Sequence, residues 1–364
     1  IEFFARYGFN KCLPGDVEVV DAATGRLIRI EDLYDETHAL DTTVTCDTGS
    51  LTLGHGRVRA VMDNGVKPVY RLTTGLGRTI EATDNHPFYT FDGWRQLGEL
   101  STGDMIAVPR TLPVEGTCEW PEHEVIALGH LLAEGNLCHP HSVYYYSQDP
   151  EQVEDYVRAA ERFANVTCSI GLHRGTYSVY AKRVERTKPP GIVSWCKSLD
   201  MWGKNARKKE IPAAAFELTN AQLALLVARM WEGDGHINVR GRSLFYATAS
   251  ERLAQQLQHI FLRFGIISKL RTVEFPYKDG RTGYQLFITG NENLGKFRDA
   301  FGLHFLSETR RTQLDSLVLE TVGSWSTKDV VPLGVKEAVR SAKAEAGVTW
   351  QQLNDACGVA QREF

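Results

Sequence analysis

The chain is short of what a disulfide scaffold or a zinc cluster would need. Its seven cysteines (12, 46, 118, 138, 168, 196 and 357) are an odd number, and no two form a CxxC pair. That usage argues for a reducing compartment. No run of about 18 or more apolar residues occurs, so no membrane-spanning helix is expected. The longest candidate, Leu223 to Trp231, is broken by Arg229. No basic-then-apolar start is present, which removes a signal peptide and makes the cytoplasm the expected location. Nor is there an excess of one charge: 41 basic residues stand against 45 acidic, for a net of −4. A protein that coats nucleic acid by charge alone is excluded. What is present is ordinary globular material, 43% apolar and 24% charged. The 364 residues suggest two or three domains, at roughly 100–200 residues each. The first residue is Ile1 rather than methionine, as expected of a piece of a longer precursor.

Residues 12–112 are a series of short β-type runs such as DVEVV, PVYRLTT and GRTIEAT, separated by Gly, Asp and Asn. Pro113 to Pro121 reads as a linker. Beyond it the pattern turns helical from Glu122 to Glu134 and stops at Gly135. A strand (VYYYS), a helix (Glu151 to Phe163) and strands near 166–172 and 176–182 follow. Residues 211–330 repeat that order: a helix ending in DGH at 234–236, the strand SLFYATAS, a helix from Glu251 to Phe264, and the strands KLRTVEF and GYQLFIT. This is an internal duplication. Between Arg174 and Lys209 there are ten Lys/Arg and two acids, either a solvated surface or a face for nucleic acid. Residues 330–364 form two short helices, the second capped by Thr349, in the manner of a helix-turn-helix.

Two constellations carry chemistry. In the first, Cys12 opens Cys-Leu-Pro-Gly-Asp just before the first strand, and Thr83-Asp84-Asn85-His86-Pro87 follows a later one. A cysteine with a remote histidine permits nucleophilic acyl chemistry. The wording resembles the N-terminal half of an intein, a member of the Hint superfamily, over residues 12 to about 110. The resemblance implies that Cys12 attacks the carbonyl of Lys11, converting an amide to a thioester. His86 would hydrogen-bond the scissile nitrogen and protonate the leaving amine, and Thr83 would orient the peptide. A cysteine hydrolase acting in trans would instead need an open cleft and a residue orienting His86. IEFFARYGFNK resembles a segment of the bacterial DNA polymerase III alpha subunit, which makes residues 1–11 an expected extein remnant and a bacterial polymerase the expected host. The His-Asn pair that ends inteins is absent between 320 and 364.

In the second, Leu128-Gly129-His130-Leu131-Leu132-Ala133-Glu134-Gly135 and Ala228-Arg229-Met230-Trp231-Glu232-Gly233-Asp234-Gly235 are offset by 100 residues. Each is an apolar helix with a small residue, an acid and a glycine at its end. Brought together, Glu134 and Asp234 could hold Mg²⁺ for hydrolysis of a phosphodiester. Both resemble the LAGLIDADG homing endonucleases, often embedded in inteins. That resemblance makes Glu134 and Asp234 metal ligands and Lys209 a basic residue near the cleaved phosphate. Arg229, where a small residue is common, predicts looser packing, and Arg311 stands where relatives place lysine.

The expected molecule is therefore multidomain. It comprises an extein remnant (1–11), an all-β, horseshoe-shaped Hint splicing part (12–112), an α+β LAGLIDADG endonuclease of two αββαββα repeats (120–320), and a small helical C-terminal segment (325–364). The expected partners are double-stranded DNA at an uninterrupted host-gene site and the exteins in cis. The alternative is a nuclease-inactive LAGLIDADG DNA-binding module in an element that only splices.

Overall fold

The computed structural model describes residues 11–35, 39–47, 49–275, 280–322 and 332–357. Before residue 100 the β-type runs pair as antiparallel hairpins. These are β1 (Glu18–Val20) with β2 (Leu27–Arg29), β3 (Thr42–Asp47) with β4 (Thr52–Arg57), β5 (Tyr70–Thr73) with β6 (Thr79–Ala82), and β7 (Pro87–Thr90) with β8 (Gly93–Gln96). Asp21 and Asp47 build the first two turns. Asp21 accepts from the Ala23 amide and Asp47 from the Gly49 amide, the local bonding that makes aspartate a turn residue. Two features depart from the expected all-β horseshoe. A helical turn, α1 (Ile30–Tyr34), follows β2 directly. The ladders also remain two-stranded, joined by single bridges such as Asp21 with Thr43.

The remainder is duplicated α+β structure. The first copy runs α2 (Glu122–Glu134), β9 (Gly135–Asn136), β10 (Tyr144–Ser147), α3 (Pro150–Ala160), β11 (Val166–His173), β12 (Thr176–Arg183) and α4 (Gly191–Ser198). The second runs α5 (Asn220–Asp234), β13 (Gly235–Asn238), β14 (Ser243–Thr248), α6 (Glu251–Arg263), β15 (Ser268–Phe275), β16 (Arg281–Ile288) and α7 (Asn291–Phe301). Each gives an antiparallel sheet in the same spatial order, β9-β10-β12-β11 and β13-β14-β16-β15. Helix starts are set by side-chain caps: Asp149 for α3, Thr219 for α5 and Ser250 for α6. α3 stops at Ala160, short of the Phe163 expected, in tight turns that lead to Asn165 at φ 59°.

α2 and α5 lie side by side at the centre. A Cβ on Gly129 would fall 2.5 Å from the Arg229 Cβ, and one on Gly233 would fall 2.7 Å from the Ala133 Cβ. Arg229 does not loosen this packing. It is 7% exposed, its Nε donates to Asp155 Oδ2 at 2.6 Å, and its stem lies against the glycine of the other helix. Asp155 also meets His130 Nε2 at 2.9 Å, so one carboxylate from α3 holds both central helices. Gly135 and Gly235 do not end their helices in the left-handed conformation. Both are extended, at φ −77° and −82°, and lead straight into β9 and β13.

The expected linker is no free tether. The Leu112 amide donates to Leu262, Thr117 and Cys118 donate to Glu217, and Leu112 and Val114 are buried with Leu262, Ile267 and Leu76. After α8 (Glu308–Glu320), α9 (Leu333–Glu345) and α10 (Trp350–Cys357) form the expected short helix pair. Thr349 Oγ1 accepts from the Gln352 amide while the Gln352 side chain accepts from the Thr349 amide. Gly358 and the segment 327–331 lie outside the described residues.

Candidate functional site

Two places collect the residues singled out above. At the first, β6 delivers Thr83 to Cys12. The Cys12 amide donates to Thr83 Oγ1 at 2.9 Å, and the Thr83 amide donates back to the Cys12 carbonyl at 3.1 Å. Thr83 is 3% exposed, and its hydroxyl donates to Asn85 Oδ1 at 2.8 Å. His86 follows one turn later, its amide bonded to the Thr83 carbonyl. Burial, with the nearby Lys11 charge, holds the His86 imidazole below its ordinary pKa, partly offset by a hydrogen bond to the Cys12 backbone. His86 is therefore mostly neutral at neutral pH. Its Nδ1 is buried without a hydrogen-bond partner among the described residues.

Two residues of this site are absent from the reading above. Asn64 Nδ2 lies 3.3 Å and Lys67 Nζ 3.7 Å from Cys12 Sγ. Both come from the stretch between β4 and β5, which has no strand period to mark it. A cavity of about 1000 Å³ opens beside the sulfur, lined by Lys11, Cys12, Thr83 and His86 together with Val58, Val61 and Trp94.

At the second place, the paired ends of α2 and α5 bring Glu134 and Asp234 together. The point where a Gly233 Cβ would sit is 3.2 Å from Glu134 Cγ. Burial, then the like charge of Glu134, pushes the Asp234 carboxyl up to about 7, against the pull of Lys209 and a hydrogen bond from Tyr246. Tyr246 Oη donates to Asp234 Oδ2 at 3.1 Å. Lys209 is brought here by a short stretch after α4. It is 6% exposed, and its Nζ donates to the Ala133 carbonyl at 2.7 Å. Burial pulls its pKa down to about 8, while Asp234 and Glu134 pull the other way.

The second basic position is corrected by one residue. Arg310, not Arg311, reaches the end of α5: its Nη1 donates to the Trp231 carbonyl at 2.9 Å and the Gly235 carbonyl at 3.2 Å. α8 begins at Glu308, and the face of its first turn that meets α5 carries residue 310.

Strand alternation gives each sheet one covered and one open face. Tyr145 and Tyr246 are fully buried towards the helices. Their neighbours point away. Tyr144 stacks on Tyr180 at 4.7 Å on one sheet, and Phe245 meets Phe287 at 5.3 Å on the other, with Arg271 over Phe287 at 4.8 Å. The basic stretch 174–209 is partly neutralised. Lys188 pairs with Glu185, and Lys204 with Asp200 and Glu210.

Residues 221–302 match the family described as LAGLIDADG-like domain. Over 363 residues the chain is 33% identical to the replicative DNA helicase DnaB of Rhodothermus marinus, covering 96% of this chain and 38% of that protein. The chain thus spans well under half the length of this relative. A crystal structure of a DnaB intein from Synechocystis sp. PCC 6803 is 39% identical over 28% of this chain and 70% of that one, with a TM-score of 0.25. The homing endonuclease I-WcaI bound to its DNA recognition sequence is 13% identical over 54% of this chain and 88% of that one, with a TM-score of 0.37. The likeness to a LAGLIDADG-like domain covers residues 221–302. The polymerase III alpha host is not supported: the relatives this chain matches include replicative DNA helicases DnaB. Residues 1–10, which carried that expectation with Lys11, lie outside the described residues. Among the described residues no helix is long and apolar enough to cross a membrane.

Proposed function

We propose that the LAGLIDADG-like domain at 221–302 is one half of a site-specific DNA endonuclease, carried by a protein-splicing element of the intein kind. The observation that carries the splicing reading is the reciprocal bonding of Thr83 to both backbone groups of Cys12. It fixes the nitrogen that must leave. In the proposed step the Cys12 thiol gives its proton to His86, Sγ bonds to the Lys11 carbonyl carbon, the Lys11–Cys12 C–N bond breaks, and the freed nitrogen takes that proton from His86. A neutral imidazole can first accept a proton and then return it. Asn64 and Lys67 put a donor and a positive charge beside the sulfur, where negative charge must build for attack.

The nuclease reading rests on the paired acids. Two carboxylates forced together, one of them raised to about 7 by burial and by its neighbour, fit a divalent cation that would relieve their repulsion. Mg²⁺ is commonly held by one or two carboxylates plus substrate phosphates. The described residues offer no larger group of metal-ligating side chains. Glu134 and Asp234 would hold the ion, which supplies charge stabilisation and a polarised water. Lys209 would meet the scissile phosphate. The open sheet faces, with their aromatic pairs and Arg271, suit a DNA groove, and the basic stretch 174–209 suits phosphate contacts that weaken with salt.

The test is cleavage, in Mg²⁺, of a plasmid carrying the host gene with the coding sequence of this segment removed. Asp234→Asn and Glu134→Gln should each abolish cutting while a gel shift without metal persists. If both variants cut at the wild-type rate, the metal-ligand assignment is wrong. Binding without cutting by the wild type would favour the DNA-binding module that does not cleave.

A further inference from the structure

The open faces of the two sheets occupy equivalent places yet carry different side chains. Tyr145 pairs with Gly135 and Tyr246 with Gly235, which fixes the correspondence of the repeats. One row of directly paired residues crosses each sheet. It runs Asn136, Tyr144, Tyr180 and Ser169 in the first repeat. In the second it runs His236, Phe245, Phe287 and Lys269. Two residues further along the outer strands, and so on the same faces, stand Gly171 opposite Ser178 and Arg271 opposite Gln285.

The second row is a run of rings that ends in a guanidinium. His236 meets Phe245 at 4.7 Å, Phe245 meets Phe287 at 5.3 Å, and Arg271 lies over Phe287 at 4.8 Å. The ring quadrupole holds the cation in place. Its N–H donors stay available, because among the described residues the exposed Arg271 makes no hydrogen bond or ion pair. The strand beneath it is also fixed. β15 is the outer strand of its sheet, and the Leu270 amide, next to Arg271, donates to the Leu76 carbonyl at 2.9 Å. The first row ends otherwise. Tyr144 stacks on Tyr180 at 4.7 Å, His139 closes on Tyr144 at 4.8 Å, and Gly171 stands where the arginine would be. Lys182, two residues past Tyr180, gives that face a charge. An ammonium is a point charge, whereas a guanidinium is a planar fork of donors. In the major groove only guanine offers such a fork two neighbouring acceptors, N7 and O6.

We infer that Arg271 determines specificity: it reads one guanine in the half of the DNA site that lies under the second repeat. The first repeat makes no such demand at the equivalent base pair, where Gly171 stands. Phe287 positions the guanidinium from below. The inference rests on the DNA-binding part of the reading above and not on cleavage.

The experiment measures binding by the whole chain, without divalent metal, to duplexes in which the uninterrupted host-gene site is varied one base pair at a time. For the wild type, replacing one guanine in one half of the site should weaken binding about tenfold. Arg271→Ala should bind all four pairs at that position within about twofold of one another, with selectivity elsewhere kept. Arg271→Lys keeps the charge and loses the fork, so it should recover overall affinity without the guanine preference. Phe287→Leu should weaken the preference and leave the salt dependence unchanged. If Arg271→Ala weakens every sequence by the same factor and lowers the salt slope by about one, the residue meets a phosphate and the inference fails. An unchanged profile, or a preference lost at a pair other than G·C, also overturns it. An equal guanine demand at the equivalent pair of the other half overturns the contrast between the repeats. Sequence-specific binding without cutting removes the nuclease reading and leaves this inference standing. No sequence-specific binding by the wild type removes both.

Discussion

Cys12, Thr83 and His86 show how far a motif reaches at the scale of single residues. Their types and order drew notice through a family resemblance, and the proposed acyl transfer would use them as nucleophile, proton carrier and holder of the peptide. The reciprocal bonds between Thr83 and Cys12 then follow from the end of β6. Asn64 and Lys67 were not legible, because they approach the sulfur from a stretch without regular structure. Thr83→Ala is expected to slow thiol-induced cleavage at Lys11–Cys12 by about tenfold or more, read as the rate of loss of residues 1–11 in DTT. Lys67→Met should slow the same reaction by a smaller factor, since it removes a positive charge 3.7 Å from the sulfur. Equal rates in wild type and Lys67→Met at every pH would remove the lysine from the site. Arg310 was misplaced by one residue in the sequence because a helix start fixes which face a side chain takes only once the cap is known.

Between elements, the informative signal was the 100-residue offset of two helices with small residues before an acid. It located α2 and α5, and their close packing follows from Gly129 and Gly233. What it could not convey was that Arg229 sits on the packed face, neutralised by Asp155. A buried arginine resembles a packing fault until its partner from α3 is seen. Gly129→Leu should separate the helices, costing about 1–3 kcal/mol in chemical denaturation and abolishing cleavage. His259 on α6 supplies a pH test. Burial, then Arg78, Arg263 and Arg252, lower its pKa from 6.5 to about 4. A base whose folded pKa is depressed binds fewer protons folded than unfolded, so stability is lost as pH falls from about 6.5 and the loss levels off near 4. The loss should be on the order of 2 kcal/mol, allowing for partial exposure. His259→Gln should flatten that part of the stability profile, and an unchanged slope would assign the proton uptake elsewhere.

For the whole molecule, the sequence suggests a division of the chain but says nothing of how its parts meet. The turn between β5 and β6 reads as an ordinary hairpin tip, yet it docks on the second repeat. The Leu76 carbonyl accepts from the Leu270 amide at 2.9 Å and from Gln258 Nε2 at 3.0 Å. Arg78 donates to the Gln258 carbonyl at 2.9 Å, and burial lowers its pKa to about 10. A Cβ on Gly77 would fall 2.4 Å from the Leu270 carbonyl oxygen, and the φ of 78° suits glycine. Such contacts join residues nearly 200 apart, and no local pattern encodes them. Leu76→Ala should cost about 2 kcal/mol by opening this small core, seen as an earlier unfolding transition.

On the proposed reading one chain carries two separable chemistries, acyl transfer at Cys12 and phosphodiester hydrolysis at Glu134 and Asp234. One incubation with DTT, Mg²⁺ and the plasmid bearing the uninterrupted host gene, followed by protein mass and by DNA topology together, tests it most directly. The wild type should lose residues 1–11 and cut the DNA. Cys12→Ala should keep its full mass and still cut, and Asp234→Asn should lose residues 1–11 and leave the plasmid intact. Loss of residues 1–11 from Cys12→Ala, or full cutting by Asp234→Asn, would contradict the account.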